Sequence, residues 1–238
     1  MLTFARLREL FVLRPDCLFC GGPADTGLAL CAGCDADLPW LGSHCNTCAL
    51  PLPEHGLTCG ECLRRPPPFE QVLAPWRYAF PLDGAITRFK HQADRPLGRL
   101  LGQLLGRHLR HAFAEGLPLP DLLLPVPLAP RRQRQRGFNQ AELLARRLAA
   151  DLGLPWRQPL RRVRDTPAQQ GLDKAERKRN LRQAFALDDG AALRGLHLAL
   201  VDDVLTTGAT AAALAQLLRR AGAARVDVYC LARTPKPG

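Results

Sequence analysis

Asp202 and Asp203, followed at once by Thr206-Thr207-Gly208-Ala209-Thr210, set two carboxylates beside a small, hydroxyl-rich turn. If that turn opens a helix, its unpartnered N–H groups and the positive end of the helix dipole let Thr206, Thr207, Gly208, Ala209 and Thr210 wrap a phosphate. Gly208 lets the main chain come close. Two acids beside an anion repel it unless they face something else, such as ribose hydroxyls or a Mg²⁺ ion. A phosphorylated ribose offers both faces at once. An Asp-Asp pair alone would suit an ordinary Asx-type turn, but the whole string favours a phosphate site.

The flanking residues supply the elements that must position this turn. His197 to Val201 is short and apolar, as expected of a buried parallel strand. Ala209 to Ala221 carries Leu214, Leu217, Leu218 and Ala221 at helical spacing, Gly222 stops it, and Val226 to Leu231 resumes a strand. The result is a βαβ unit whose first turn lies at the carboxyl edge of a sheet, where open α/β folds bind ligands.

LHLALVDDVLTTGAT (residues 196–210) resembles the phosphoribosyl pyrophosphate (PRPP) signature of type I phosphoribosyltransferases. The resemblance implies that Asp202 and Asp203 hold the ribose hydroxyls and that the following turn holds the 5′-phosphate. No Walker-type lysine follows the glycine, which disfavours a nucleotide triphosphatase, and G-x-G-x-x-G does not occur in this turn.

Eight of the nine cysteines form four C-x-x-C pairs, Cys17/Cys20, Cys31/Cys34, Cys45/Cys48 and Cys59/Cys62, each ten residues from the next. A C-x-x-C turn presents two thiolates to one side of a tetrahedral ion, so the pattern reads as two structural zinc sites of four thiolates each. Such sites staple a segment too small to fold on its own core. Sequential pairing is expected, and an interleaved arrangement fits the same spacing. Gly21 suits a tight knuckle after the first pair, whereas the other pairs lack that glycine. His44 and His55 sit near ligands, but four complete pairs leave no vacancy. Cys230 reads as a small buried hydrophobe.

The chain has 238 residues, 47% of them apolar, enough for one α/β core and a smaller module. Arg64-Arg65-Pro66-Pro67-Pro68 marks the expected boundary, with a double zinc ribbon and short leading helix over residues 1–65 and an α/β domain over 66–238. No apolar run is long enough to span a membrane. The amino terminus mixes charges with Leu7, Leu10 and Phe11, which suggests an amphipathic helix in a cytoplasmic protein. Beyond the prolines, strand formers run from Val72 to Phe80. Helices are expected near Leu82 to Gln92, along Leu97 to Leu109, and from Asn139, which forms a capping-box-like pair with Glu142, to Gly153. Leu122 to Val126 reads as a strand leading into a loop. The alternation argues for a mostly parallel sheet flanked by helices.

Formal net charge is +11, or +7 once eight thiolates hold two zinc ions. Between Val126 and Arg182, fifteen Arg and Lys face five Asp and Glu. Two segments carry this excess: the stretch from Val126-Pro127-Leu128 through Arg131, Arg132, Arg134 and Arg136, and a second arm containing Arg164, Thr166 and Gln169. Both suit a polyanion such as a pyrophosphate. A solvated basic face or a nucleic-acid patch would be the first reading without the turn at 202 to 210.

V-P-L, then R-x-x-x-R-G-F-N-Q (Arg132 to Gln140), R-x-T-x-x-Q (Arg164 to Gln169), R-x-x-N-L-x-x-A-F (Arg177 to Phe185) and VDDVLTTGAT together resemble the ComF family over nearly the whole chain. Those are competence-associated, phosphoribosyltransferase-like proteins that often carry an amino-terminal double zinc ribbon. The resemblance implies a type I phosphoribosyltransferase fold, PRPP as ligand with Mg²⁺, and a role in handling incoming single-stranded DNA or in nucleotide metabolism. It implies that Val126, Pro127 and Leu128, with Arg132 or Arg136, meet the pyrophosphate, and that Arg164, Thr166 and Gln169 belong to a mobile lid. Lys90, in the segment Arg88-Phe89-Lys90-His91, could reach such a site, but a surface lysine on a helix is the plainer reading, and His91 shares that ambiguity. Three functions follow: transfer of phosphoribosyl to an unidentified acceptor with release of pyrophosphate, PRPP sensing without turnover, or a zinc-ribbon adaptor for single-stranded DNA.

Overall fold

The computed structural model describes residues 15–163 and 183–235. The amino-terminal helix expectation and the arm carrying Arg164, Thr166 and Gln169 lie outside the described residues. The chain divides into two compact units, Met1–Leu38 and Pro39–Gly238. The proline run at 66–68 therefore falls inside the second unit, and the second pair of C-x-x-C turns shares that unit with the sheet.

In the first unit, Cys17 N–H donates to Gly22 O (2.7 Å) and Gly21 N–H to Cys17 O (2.8 Å), with Gly21 at φ +78°. Helix α1 (Ala32–Ala36) follows the third cysteine, and Cys31 Sγ accepts from Cys34 N–H (3.4 Å).

The same knuckle recurs in the second unit. Cys45 N–H donates to Leu50 O (2.8 Å) and Ala49 N–H to Cys45 O (2.9 Å). Ala49 takes the left-handed conformation, φ +54°, that Gly21 takes in the first copy. A residue with a Cβ adopts that region only when its surroundings fix it, and Ala49 is wholly buried in the α/β core cluster. Helix α2 (Gly60–Arg64) follows Cys59.

The sheet strands are β1 (Val72–Leu73), β2 (Trp76–Arg77), β3 (Leu122–Pro125), β6 (His197–Leu205) and β7 (Arg225–Arg233). All their pairings are parallel, in the order β1-β7-β6-β3, with β2 also on β7. The run of strand formers from Val72 to Phe80 thus yields two short strands, separated at Ala74-Pro75, where proline cannot donate to the ladder. Residues alternate across the sheet. Leu198, Leu200, Val226 and Val228 share a core cluster with Leu214 and Leu218 of α7 (Ala209–Arg220), while Tyr229 meets Phe113 of α4 (Arg95–Ala114) with ring centroids 6.3 Å apart. The mostly parallel, helix-flanked sheet expected from the sequence is the one observed.

Helix α3 (Leu82–His91) precedes α4, and the two pack closely: a Cβ on Gly98 would lie 2.3 Å from the ring of Phe89. Asp94 caps α4 by accepting from Leu97 N–H (3.1 Å). The expected loop after β3 contains a further helix, α5 (Pro130–Arg136), which lacks apolar periodicity. It forms because Pro130 suits a first turn, Arg and Gln are good helix formers, and Gly137 ends it at φ +74°. Helix α6 (Gln140–Leu152) starts at Asn139, whose side chain accepts from Ala141 N–H (3.1 Å). Glu142 pairs with Arg146 (2.7 Å), so the reciprocal half of the expected capping box is absent. Strands β4 (Leu160–Arg162) and β5 (Phe185–Leu187) form a separate antiparallel pair, a departure from simple alternation.

Candidate functional site

Strand β6 outruns its neighbour. Pairing with β3 ends at Pro125↔Val201, and Val126 N–H makes a last bond to Val201 O (2.9 Å). Asp202 is the next residue on β6, so the two chains part where the acids begin. The gap is a cleft at the carboxyl edge of the sheet, lined by Asp202, Asp203 and Thr210 on one side of the sequence and by Val126, Pro127 and Leu128 on the other.

Arg132 and Arg136 line the same cleft. They stand four residues apart on α5 and therefore share a face. The unexpected helix is thus the device that turns two of the four arginines in the run inward. Asn139 and Gln140, unmarked as site residues by sequence patterning, support this wall. Asn139 Nδ2 donates to Val126 O (3.0 Å) and Gln140 Oε1 accepts from Arg136 Nη1 (3.1 Å). Both side chains are buried. Arg162 of β4 completes the lining and stacks its guanidinium over Phe185, 5.4 Å from the ring centroid.

The surface-lysine reading of Lys90 is corrected by the structure. Lys90 sits in the last turn of α3, lines the cleft, and places Nζ 2.9 Å from Asp203 Oδ1. Gln140 Nε2 donates to the carbonyl of Lys90 (3.4 Å), which ties the end of α3 to the start of α6. No local pattern announces these contacts, because Gln140 lies 50 residues from Lys90 and Asp203 lies more than a hundred away.

The carboxylates are held by the backbone. Asp203 N–H donates to Asp202 Oδ1 (2.8 Å) and Val204 N–H to Asp203 Oδ1 (2.7 Å). Burial and then the neighbouring Asp203 charge push the Asp202 carboxyl up to about 7, against the opposing pull of the Asp203 amide and Lys90. An acid poised there changes charge within the neutral pH range, and a donor or cation that arrives beside it favours the ionised form.

Beyond the acids, Thr206 and Thr207 are exposed on the turn, and Thr207 Oγ1 accepts from Ala209 N–H (3.3 Å). Gly208 caps α7 at φ +73°, with open space where a Cβ would point. Its glycine answers a backbone need rather than a close approach. Arg233 anchors the turn from beneath: its Nη1 donates to Leu205 O (3.1 Å) and Thr206 O.

The eight paired cysteines gather as Cys17/Cys20/Cys31/Cys34 and Cys45/Cys48/Cys59/Cys62, the sequential arrangement. A tetrahedral ion with Zn–S bonds of about 2.3 Å separates its sulfurs by about 3.8 Å. Cys20 and Cys31 Sγ stand 3.8 Å apart, and Cys48 and Cys59 Sγ 3.7 Å apart. Both clusters fit structural zinc. Cys230 is fully buried on β7 and belongs to neither. Among the described residues, no helix is long and apolar enough to cross a membrane.

Residues 10–63 match the double zinc ribbon domain model. Among solved structures, the chain aligns with the purine phosphoribosyltransferase of Pyrococcus horikoshii at 20% identity, over 60% of this chain and 73% of that one, with a TM-score of 0.36. Competence protein F of Haemophilus influenzae is 35% identical over 91% of this chain and 96% of its own length. The DNA utilization protein YhgH of Salmonella typhi is 41% identical over 92% of this chain and 96% of its own length. Identity of that degree over nearly the full length of both proteins places the chain in the ComF family, with competence protein F and YhgH.

Proposed function

We propose that the chain binds PRPP in the cleft at the end of β6 and transfers its phosphoribosyl group to an acceptor with release of pyrophosphate, in the service of DNA utilization or uptake. The observation that carries this reading is the meeting of Asp202, Asp203 and Thr210 with Arg132, Arg136 and Lys90 around one cleft. Acids for a ribose and cations for a pyrophosphate share a single opening, which neither an Asx turn nor a solvated basic face requires. The names of the relatives support the biological setting.

In this reading Thr206 to Thr210 and the α7 amino terminus hold the 5′-phosphate. Asp202 and Asp203 accept hydrogen bonds from the ribose hydroxyls and fix the sugar. Arg132 and Arg136 take the pyrophosphate as its charge grows, the role that preorganised guanidinium groups perform best. Lys90 balances the paired acids from its place in the cleft lining. Mg²⁺, if bound with PRPP, would offset the negative charge of the pyrophosphate, with Asp202 and Asp203 the carboxylates beside it. The bond that breaks joins C1 to the pyrophosphate oxygen. The acceptor's nucleophile enters from the opposite face, so the protein contributes position and charge stabilisation rather than a covalent intermediate.

Release of pyrophosphate from PRPP and Mg²⁺, followed with candidate bases, nucleotides and single-stranded oligonucleotides, tests this directly. Acceptor-dependent pyrophosphate supports transfer. PRPP binding without pyrophosphate from any of them contradicts turnover and leaves a sensor.

A further inference from the structure

Arg233 ends β7 with only 6% of its surface exposed, a rare situation for a guanidinium. Its partners are backbone carbonyls from two distant places. Nε donates to Cys48 O (2.9 Å), while Nη1 donates to Leu205 O (3.1 Å), Thr234 O (2.7 Å) and Thr206 O. Cys48 belongs to the second four-cysteine cluster. Leu205 ends β6 and Thr206 begins the turn assigned to the 5′-phosphate. One planar cation therefore spans the metal cluster and the ligand loop, and its fork geometry lets a single side chain satisfy both.

The cluster side of this strut is stiff. Cys48 packs against both the thiolate cluster and the α/β core, and the next residue is the left-handed, fully buried Ala49. Cys45 Sγ also accepts from Cys59 N–H (3.2 Å), so the position of the Cys48 carbonyl depends on how the four cysteines are held together. The turn side is open to solvent, with Thr206 and Thr207 exposed.

We propose that Arg233 couples the second cysteine cluster to the phosphate turn, so that a filled Cys45/Cys48/Cys59/Cys62 site holds Thr206–Thr210 in its binding conformation and loss of the metal weakens PRPP binding. The coupling rests on the reading of that turn as a PRPP site. Arg233 is a positioning residue in this account, and the link is reciprocal: PRPP must also steady the cluster.

The test uses the full chain, with PRPP affinity read by calorimetry in Mg²⁺ and amide hydrogen exchange read by mass spectrometry. Four proteins are compared: the parent, Cys59→Ser with Cys62→Ser, Arg233→Lys, and all three changes together. The cysteine pair should raise the PRPP Kd about tenfold and speed exchange across Thr206–Thr210. Arg233→Lys should raise Kd similarly while retaining two zinc ions per chain, because an ammonium cannot span both sets of carbonyls. The triple variant should lose no more than either parent variant. PRPP should slow exchange across Cys45–Cys62 in the unmodified chain and fail to do so in Arg233→Lys. That exchange result needs no cysteine variant and decides the matter even where those variants fail to fold. Additive losses, or a cluster whose exchange ignores PRPP in a parent that binds it, overturn the coupling. A parent that binds no PRPP overturns the site assignment instead.

Discussion

Lys90 Nζ lies 2.9 Å from Asp203 Oδ1 in the cleft that both residues line, and both side chains are largely shielded from water. The pair joins the end of α3 to β6 and offsets part of the repulsion between adjacent acids. Lys90→Met leaves Asp203 uncompensated and removes a charge that lowers Asp202. The variant should lose about 1–2 kcal/mol of stability in urea and bind PRPP about tenfold more weakly in a calorimeter. An affinity equal to the parent's would remove Lys90 from the site.

Asp202 supplies a pH dependence whose sign can be fixed in advance. Its folded value, about 7, lies above that of an ordinary aspartate, so the group favours the native state at low pH and this contribution fades as pH rises from about 4 through 7. Ligand binding runs the other way, because the ionised acid is the better partner for ribose hydroxyls. PRPP affinity should therefore strengthen between pH 6 and pH 8, with a proton released on binding. Asp202→Asn should flatten both slopes, measured as thermal midpoint and calorimetric Kd across that range.

At the amino end of β7, wholly buried Asp227 receives His197 Nε2 (3.0 Å), Arg225 Nε (3.1 Å) and Gln71 Nε2 (3.1 Å). Burial pushes this carboxyl up, but the three hydrogen bonds outweigh it and hold the group below the ordinary aspartate range. Its contribution is present above pH 4 and lost as pH falls further. Asp227→Asn should cost about 3 kcal/mol while leaving PRPP affinity unchanged, since this network stands at the opposite edge of the sheet. A large drop in affinity with full stability would show that the two edges communicate.

The legible parts of the molecule were those written in local pattern. Apolar His197–Val201, the Asp-Asp pair and Gly208 specify a strand, the acids that follow it and a helix start within fifteen residues, although β6 runs on through Leu205 because β7 continues to pair with it; evenly spaced cysteines specify two four-thiolate sites without choosing between sequential and interleaved pairing. Helix α5 escaped because it is almost all arginine and glutamine, and a polar helix leaves no periodic trace. The roles of Lys90 and Arg233 escaped for a different reason. Each acts on partners far along the chain, Asp203 in one case, Cys48 and Thr206 in the other, and such meetings are decided by sheet order and register. Ala49 shows the converse, a position where the sequence lacks the expected glycine and the buried core imposes the left-handed backbone instead.

The central claim is that Asp202 and Asp203 grip the ribose of a PRPP molecule whose phosphates meet the turn and the arginines. Isothermal calorimetry of the zinc-loaded chain with PRPP and Mg²⁺, beside the Asp202→Ala, Asp203→Ala double variant, measures it most directly. Saturable heat from the parent and a Kd raised at least a hundredfold in the variant, about 2.7 kcal/mol or more, is the predicted result. Equal binding by both proteins, or no heat from the parent, would contradict it.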